Sequence, residues 1–133
     1  MPILHIHSVD DENAPYYGGE GKPFPMTKTT ISHPSVDDVL NQWAKYNECQ
    51  YSTNRITVKT ITNNIGHKAT LYNYGQGRNG VSLFHWQITG GVGHAWPSKI
   101  PEKRTFLAEK TCGDPTDVID ANIEIIDFFN MFQ

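Results

Sequence analysis

Two short apolar segments, residues 2–7 and 81–88, lie far apart in the chain, and each runs directly into a polar or glycine-rich loop. The first is followed by an acidic turn that contains Asp10 and Asp11, and the second by residues 90–94, Gly-Gly-Val-Gly-His. A near-continuous apolar segment followed by a polar loop is typical of a buried parallel strand with functional groups at its carboxyl end. We therefore expect the two segments to be parallel neighbours whose loops lie at the same edge of a sheet.

The sequence between and after these segments predicts the rest of an α/β fold. Ser35, followed three residues later by an acid and then by apolar residues at helical spacing, predicts a crossover helix over 35–47. Residues 55–62 and 68–74 are rich in β-branched and aromatic side chains and predict an added hairpin. Apolar positions wrap around much of segment 120–132, which predicts a closing helix docked on the sheet.

Length and composition limit the classes of protein that fit. A chain of 133 residues predicts one domain, 1–133, with a sizeable core. The net charge is −3 with both signs mixed, so no basic stripe favours nucleic acid as a partner. The sequence has neither an apolar run of bilayer length nor a signal-peptide pattern, so we expect no membrane association. We expect no cofactor. Cys49 and Cys112 lack metal-ligand spacing, and the sequence leaves open two free thiols or one disulfide.

Asp11 and His94 are the main candidate site residues. Each follows a predicted strand, so parallel pairing would bring both to one edge of the sheet. In hydrolytic triads a buried carboxylate holds a histidine in one tautomer and stabilises its protonated form. The glycines before His94 allow the sharp turn that such a contact needs. The alternative is that Asp11 belongs to an ordinary acidic turn and His94 to a solvated loop.

A metal site is a second possibility in the same region. His5 and His7 should lie on one face of a strand, and His-x-His followed by aspartate is similar to hydrolytic zinc sites. The spacing departs from the His-x-His-x-Asp-His pattern of metallo-β-lactamases, and no third ligand is evident.

The aromatic residues Tyr16 and Trp96 flank the candidate pair and are expected to line a substrate pocket. No nucleophile accompanies the pair, because the pattern Gly-x-Ser-x-Gly does not occur in the sequence and no serine lies in a strand–turn–helix elbow. A triad without its nucleophile retains little chemistry, so we expect the chain to be inactive alone.

Four segments, taken in order, resemble polyhydroxybutyrate depolymerases and feruloyl esterases, which are α/β-hydrolases. Residues 5–16 are similar to the family segment His-Gly-Thr-Ala-Asp-x-x-Val-Pro-Tyr, and residues 35–49 to a helix ending in Trp-x-x-x-Asn-Gly-Cys. Residues 90–97 resemble the loop Gly-Gly-Gly-His-x-Trp-Pro, and residues 120–129 resemble the closing helix Asp-Ala-Thr…Asp-Phe-Phe. The resemblance covers the C-terminal half of such an enzyme.

The resemblance implies a partial α/β-hydrolase in which Asp11 is the triad acid and His94 the triad base. The serine elbow and the oxyanion-hole donors would belong to a missing N-terminal half. The chain departs from the family pattern at Ser8, which replaces a turn glycine, at Val9, which replaces a threonine, and at Ile126, which replaces a helix tryptophan. The family's usual disulfide partner of Cys49 would fall near Gln76, so that bridge is absent here.

Three hypotheses follow. The chain is the acid/base half of a serine carboxylic-ester hydrolase, acting on an ester substrate when complemented by a nucleophile-bearing half. Alternatively, it is a non-catalytic module that binds a partner or forms a homo-oligomer through strand 2–7 or a helix face, since half of such a sheet exposes an edge. The third hypothesis is a small metalloprotein that uses His5 and His7.

Overall fold

The computed structural model describes residues 1–23, 26–100 and 103–133. These residues form a mixed four-stranded sheet, a two-stranded ladder and three α-helices. The strands are β1 (Ile3–Ser8), β2 (Gly19–Glu20), β3 (Ser32–His33), β4 (Ile56–Thr62), β5 (Lys68–Gln76) and β6 (Ser82–Thr89). The helices are α1 (Val36–Tyr46), α2 (Phe106–Thr111) and α3 (Ala121–Asn130).

The order of the main sheet is β1-β6-β5-β4, and β1 and β6 are parallel. Ile3 lies opposite Leu83 and Ser8 opposite Ile88, so the two strands end at the same edge, as the sequence predicted. The predicted hairpin is β4 and β5, which continues the sheet on the far side of β6 in antiparallel pairing. The fold is therefore of mixed α/β content.

Both faces of β6 are buried because its side chains alternate between two apolar clusters. One cluster joins Leu83 to Leu40 and Ala44 of α1. The other joins Trp86 and Ile88 to the segment before α3. At roughly 25 cal/mol per Å² of apolar surface, burial on both faces makes β6 a major contributor to the stability of the sheet.

Local signals set the ends of the two long helices. The Ser35 side chain accepts a hydrogen bond from the Asp38 amide and starts α1. Asp120 accepts from the amides of Asn122 and Ile123 and starts α3. α3 packs on the sheet through an edge-to-face contact between the rings of Phe128 and Phe84, with centroids 5.9 Å apart.

Two expected loops contain structure that the sequence did not indicate. Segment 13–34 holds the short ladder of β2 and β3, although residues 24–25 lie outside the described part. Segment 98–117 holds α2, and residues 101–102 lie outside the described part. Both cysteines are free thiols. Among the described residues, no helix is long and apolar enough to cross a membrane.

Candidate active site

Asp11 lies in the turn after β1 with only 7% of its surface exposed. Its Oδ1 accepts hydrogen bonds from the backbone amides of Asn13, at 2.8 Å, and Ala14, at 2.9 Å. These two donors compensate for the burial of the carboxylate and fix its orientation. Its second oxygen, Oδ2, is thereby directed towards the loop that follows β6.

His94 meets that oxygen. The distance between His94 Nδ1 and Asp11 Oδ2 is 2.6 Å, although the two residues are 83 positions apart in the chain. A carboxylate only accepts, so Nδ1 carries the proton and donates, which leaves Nε2 as the basic nitrogen. The His94 side chain is 52% exposed, so the acid is buried while the base remains accessible. The structure thus brings the two predicted site residues together.

His7 contacts the same carboxylate, a role that the sequence did not suggest. Its Nε2 lies 3.6 Å from Asp11 Oδ2 and donates to the backbone carbonyl of Ala14, 2.8 Å away. His7 therefore lies near the same carboxylate oxygen that His94 contacts. The signal available in the sequence was its position four residues before Asp11, on the same strand as His5.

The loop that carries His94 is held by two further residues of the acidic turn. Asp10 Oδ2 accepts from the amides of Gly90, at 3.1 Å, and Gly91, at 3.0 Å. The Ser8 hydroxyl donates to the carbonyl of Val92 at 2.5 Å. A glycine at position 8 would lack this contact. Sequence reasoning missed both roles because their partners lie 80 or more positions away.

His94 lies in the wall between two cavities. The larger has a volume of about 860 Å³ and is also lined by Trp96 and Ser98. The smaller, of about 330 Å³, is bordered by Asp10 and the glycines of the loop. Trp96, which was expected to line a substrate pocket, is 54% exposed at the larger cavity. Cys112 contributes to both cavities.

Tyr16, the other expected pocket residue, instead lies in the core with 1% of its surface exposed. Its hydroxyl donates to Asp37 Oδ1 at 2.8 Å and accepts from Gln87 Nε2 at 2.9 Å. It also lies 3.1 Å from His85 Nε2. Burial, together with the bond to Asp37, raises the pKa of the Tyr16 phenol well above its usual range. A hydroxyl with three polar neighbours is satisfied inside the fold, which explains why the side chain turns away from the site.

The histidines of β1 lie side by side on one face, as strand alternation predicts. The rings of His5 and His7 are stacked with centroids 5.4 Å apart. Burial, and then the nearby His7, lower the pKa of His5 to about 4. Within the described ranges, no group of three or more His, Cys, Asp or Glu residues is arranged to hold a metal ion.

The serines that the structure describes near the site have structural hydrogen bonds. Ser8 holds the carbonyl of Val92, and the hydroxyl of Ser98 accepts from the amide of Ile100 at 3.1 Å. Ser98 lines the larger cavity but follows Pro97 in an irregular segment, which is not a strand–turn–helix elbow. The arrangement can orient a base and accept a proton.

Comparisons with models of protein families, with curated proteins and with solved structures found no match.

Proposed function

We propose that this chain supplies the acid and the base of a catalytic triad in a serine carboxylic-ester hydrolase similar to polyhydroxybutyrate depolymerases and feruloyl esterases. One observation carries the proposal: the half-exposed His94 imidazole is held by the buried Asp11 carboxylate at 2.6 Å. A buried acid, an accessible base and a cavity that the base lines are what acyl transfer requires of this part of a triad.

The chemistry follows from the tautomer. His94 Nε2 takes the proton of a serine hydroxyl as that oxygen attacks the ester carbonyl, and Asp11 stabilises the resulting imidazolium. His94 then returns the proton to the departing alcohol, which leaves an acyl-enzyme. Water, deprotonated by the same nitrogen, releases the acid. The serine and the oxyanion-hole donors come from a nucleophile-bearing half.

Complementation tests the proposal. The chain is mixed with the N-terminal half of a depolymerase that carries the Gly-x-Ser-x-Gly elbow, and hydrolysis of p-nitrophenyl butyrate is followed. We expect neither half to be active alone and the mixture to be active. The variant His94→Ala should lower the rate of the mixture by roughly 10³-fold or more, because the base is lost.

The matched control is His33→Ala, which removes a histidine of the two-stranded ladder and should leave the rate unchanged. An inactive mixture in which the two halves bind each other, or full activity with His94→Ala, would contradict the proposal.

A second candidate function, self-association, rests on a different observation. Among the described residues, the outer edge of β1 has no neighbouring strand. The adjacent helix α3 exposes Ile123, Ile126 and Phe129 at 54%, 60% and 52%. An unpaired strand edge beside exposed apolar side chains is a surface that a second chain can cover.

Sedimentation velocity distinguishes this candidate. We expect the chain to associate as its concentration rises and Ile126→Lys to sediment as a monomer. Ile65→Lys changes an exposed isoleucine on the β4–β5 turn and should still associate. A monomeric native chain over the same concentration range would rule out this candidate.

A further inference from the structure

The larger cavity beside His94 is unusual in its charge. Three cationic side chains line it, those of Lys99, Lys103 and Arg104, whereas Asp117 is the one carboxylate among the described lining residues. Its excess of positive charge contrasts with the net charge of −3 of the whole chain.

Asp117 offsets one of these three positive charges. Its Oδ1 accepts from Asn63 Nδ2 at 2.6 Å, and this hydrogen bond, with a smaller contribution from the charge of Lys99, lowers the pKa of the carboxyl group. In the part of the chain that the structure describes, no carboxylate oxygen lies within 4.0 Å of a side-chain nitrogen of Lys99, Lys103 or Arg104. The three cations therefore lack ion-pair partners there.

Arg104 is also held in place. Its Nη1 donates to the carbonyl of Gly113 and its Nη2 to the carbonyl of Ala108, both at 2.8 Å. These acceptors are neutral, so they fix the guanidinium plane without cancelling its charge. A guanidinium held in this way is preorganised for an anion, because less side-chain entropy is lost when the anion binds.

Apolar surface borders the same cavity. Trp96 and Ile100 are 54% and 69% exposed, and Ile65 of the β4–β5 turn is 74% exposed. Binding pockets combine such apolar walls with a few polar or charged groups that set orientation. A ligand that fits this combination has an apolar body and one anionic end.

We infer that the larger cavity binds organic carboxylates, with the carboxylate at Lys103 and Arg104 and the hydrocarbon or aromatic body against Trp96 and Ile100. As a statement about substrate, this rests on the proposed function: the preferred esters would carry a free carboxylate in addition to the ester bond. Binding itself requires no nucleophile, so it can be measured on this chain alone.

The experiment compares 3-phenylpropanoate with its neutral amide, 3-phenylpropanamide, by titration into the full chain. The indole N–H resonance of Trp96 reports binding in two-dimensional NMR spectra. We expect the carboxylate to bind with a Kd about tenfold lower than the amide, and the difference to shrink as NaCl is raised, because salt screens exposed charges.

Lys103→Gln tests the charge without disturbing a hydrogen bond, since its ammonium group has no protein partner in the described part of the chain. We expect the carboxylate Kd to rise about fivefold and the amide Kd to stay constant. The matched control, Lys45→Gln on α1, should leave both constants unchanged. Equal affinity for the two probes, or equal effects of the two lysine substitutions, would overturn the inference.

The two proposals fail separately. Carboxylate binding that persists while complementation yields no hydrolysis would leave the cavity assignment standing and remove the esterase. The opposite result is hydrolysis with no preference for 4-nitrophenyl hydrogen glutarate over p-nitrophenyl butyrate, together with equal binding of the two probes. It would leave the esterase standing and remove the cavity assignment.

Discussion

Adjacent carboxylates in one turn hold two different parts of the site. Asp10 accepts from the amides of Gly90 and Gly91, at the start of the loop. Asp11 uses one oxygen on its own turn and the other on His94, at the end of the loop. Loop position and ring orientation are therefore set by separate side chains, which allows them to be perturbed separately.

Replacing Asp11 with asparagine should reverse the tautomer of His94. The asparagine oxygen can still accept from the amides of Asn13 and Ala14, which turns its NH₂ group towards His94 Nδ1 and makes that nitrogen an acceptor. The ¹⁵N chemical shifts of the neutral imidazole distinguish the two forms. In the complemented enzyme, we expect Asp11→Asn to lower kcat by roughly 10⁴-fold, because the proton then lies on Nε2.

The control is Asp10→Asn, which keeps an acceptor oxygen for the two glycine amides and should retain the original tautomer. If Asp11→Asn leaves the ring in the Nδ1–H form, the orientation of the base does not depend on this carboxylate.

At the scale of elements, the site depends on how β6 ends. Gly90 and Gly91 have φ values of 108° and 85°, which turn the chain sharply after the strand. The loop then packs against the segment that follows α2, where the Gly93 amide donates to the carbonyl of Asp114 at 2.9 Å. His94 thus lies between the carboxyl ends of two parallel strands and the segment after a helix.

Gly93→Ala should displace this loop. A Cβ on Gly93 would lie 2.3 Å from the carbonyl oxygen of Cys112 and 2.6 Å from the Cα of Gly113, and backbone atoms cannot yield as flexible side chains do. We expect the free energy of unfolding, measured with urea, to fall by about 2–3 kcal/mol. The ring resonances of His94 should shift as well.

Gly91→Ala is the matched comparison, because a Cβ there meets no atom within 4 Å and adds only the strain of a positive φ. Gly91→Ala should lower the free energy of unfolding by about 1–2 kcal/mol. A loss of stability with Gly93→Ala no larger than that with Gly91→Ala would show that the loop can relax around the added methyl group.

At the scale of the whole molecule, the sheet buries two neutral histidines on neighbouring strands, His5 on β1 and His85 on β6. Burial is the main cause that lowers the pKa of His5 to about 4 and that of His85 to about 3. His5 Nε2 is buried without a hydrogen-bond partner in the described residues. The folded chain therefore resists protonation at two positions that an unfolded chain protonates near pH 6.5.

The stability of the fold should consequently fall with acidification. Above pH 6.5 both states leave these rings neutral, whereas between about pH 6.5 and 4 the unfolded chain binds protons that the native chain excludes. We expect the free energy of unfolding to drop over this interval by up to about 3 kcal/mol for each ring, measured in urea titrations. His5→Leu removes one titrating ring, so the free energy of unfolding should depend less steeply on pH. His33→Leu should leave the pH dependence unchanged. An unchanged slope with His5→Leu would contradict this origin.

Patterns of short range were sufficient to predict β1, α1, the hairpin, β6 and α3. Their signals, alternation, helical spacing and capping residues such as Ser35, lie within the elements themselves. The sequence did not predict α2 because this helix has no buried residue. Its apolar residues therefore do not recur at helical spacing, and Phe106 is 72% exposed. The Asp11–His94 contact followed from parallel pairing and from the resemblance.

The remaining features of the site depend on long-range contacts that no local pattern records. Whether Ser8 and Asp10 face the turn or a loop 80 or more positions away is decided by the register of β1 on β6. Tyr16 was expected at the site because of its place in the sequence, yet the polar groups available in the core draw its hydroxyl inwards.

The parallel pairing of β1 with β6 also determines when the site can form. Ile3 pairs opposite Leu83, so 80 further residues are added after Ile3 before its partner has been made. At about 5–20 residues per second, β1 waits on the order of 4–16 s during translation before β6 exists. Asp11 is made 83 residues before the histidine that it contacts, so the acid–base pair can assemble only after β6 and the loop that follows it have been synthesised. A ribosome stalled before residue 94 carries a nascent chain without its base.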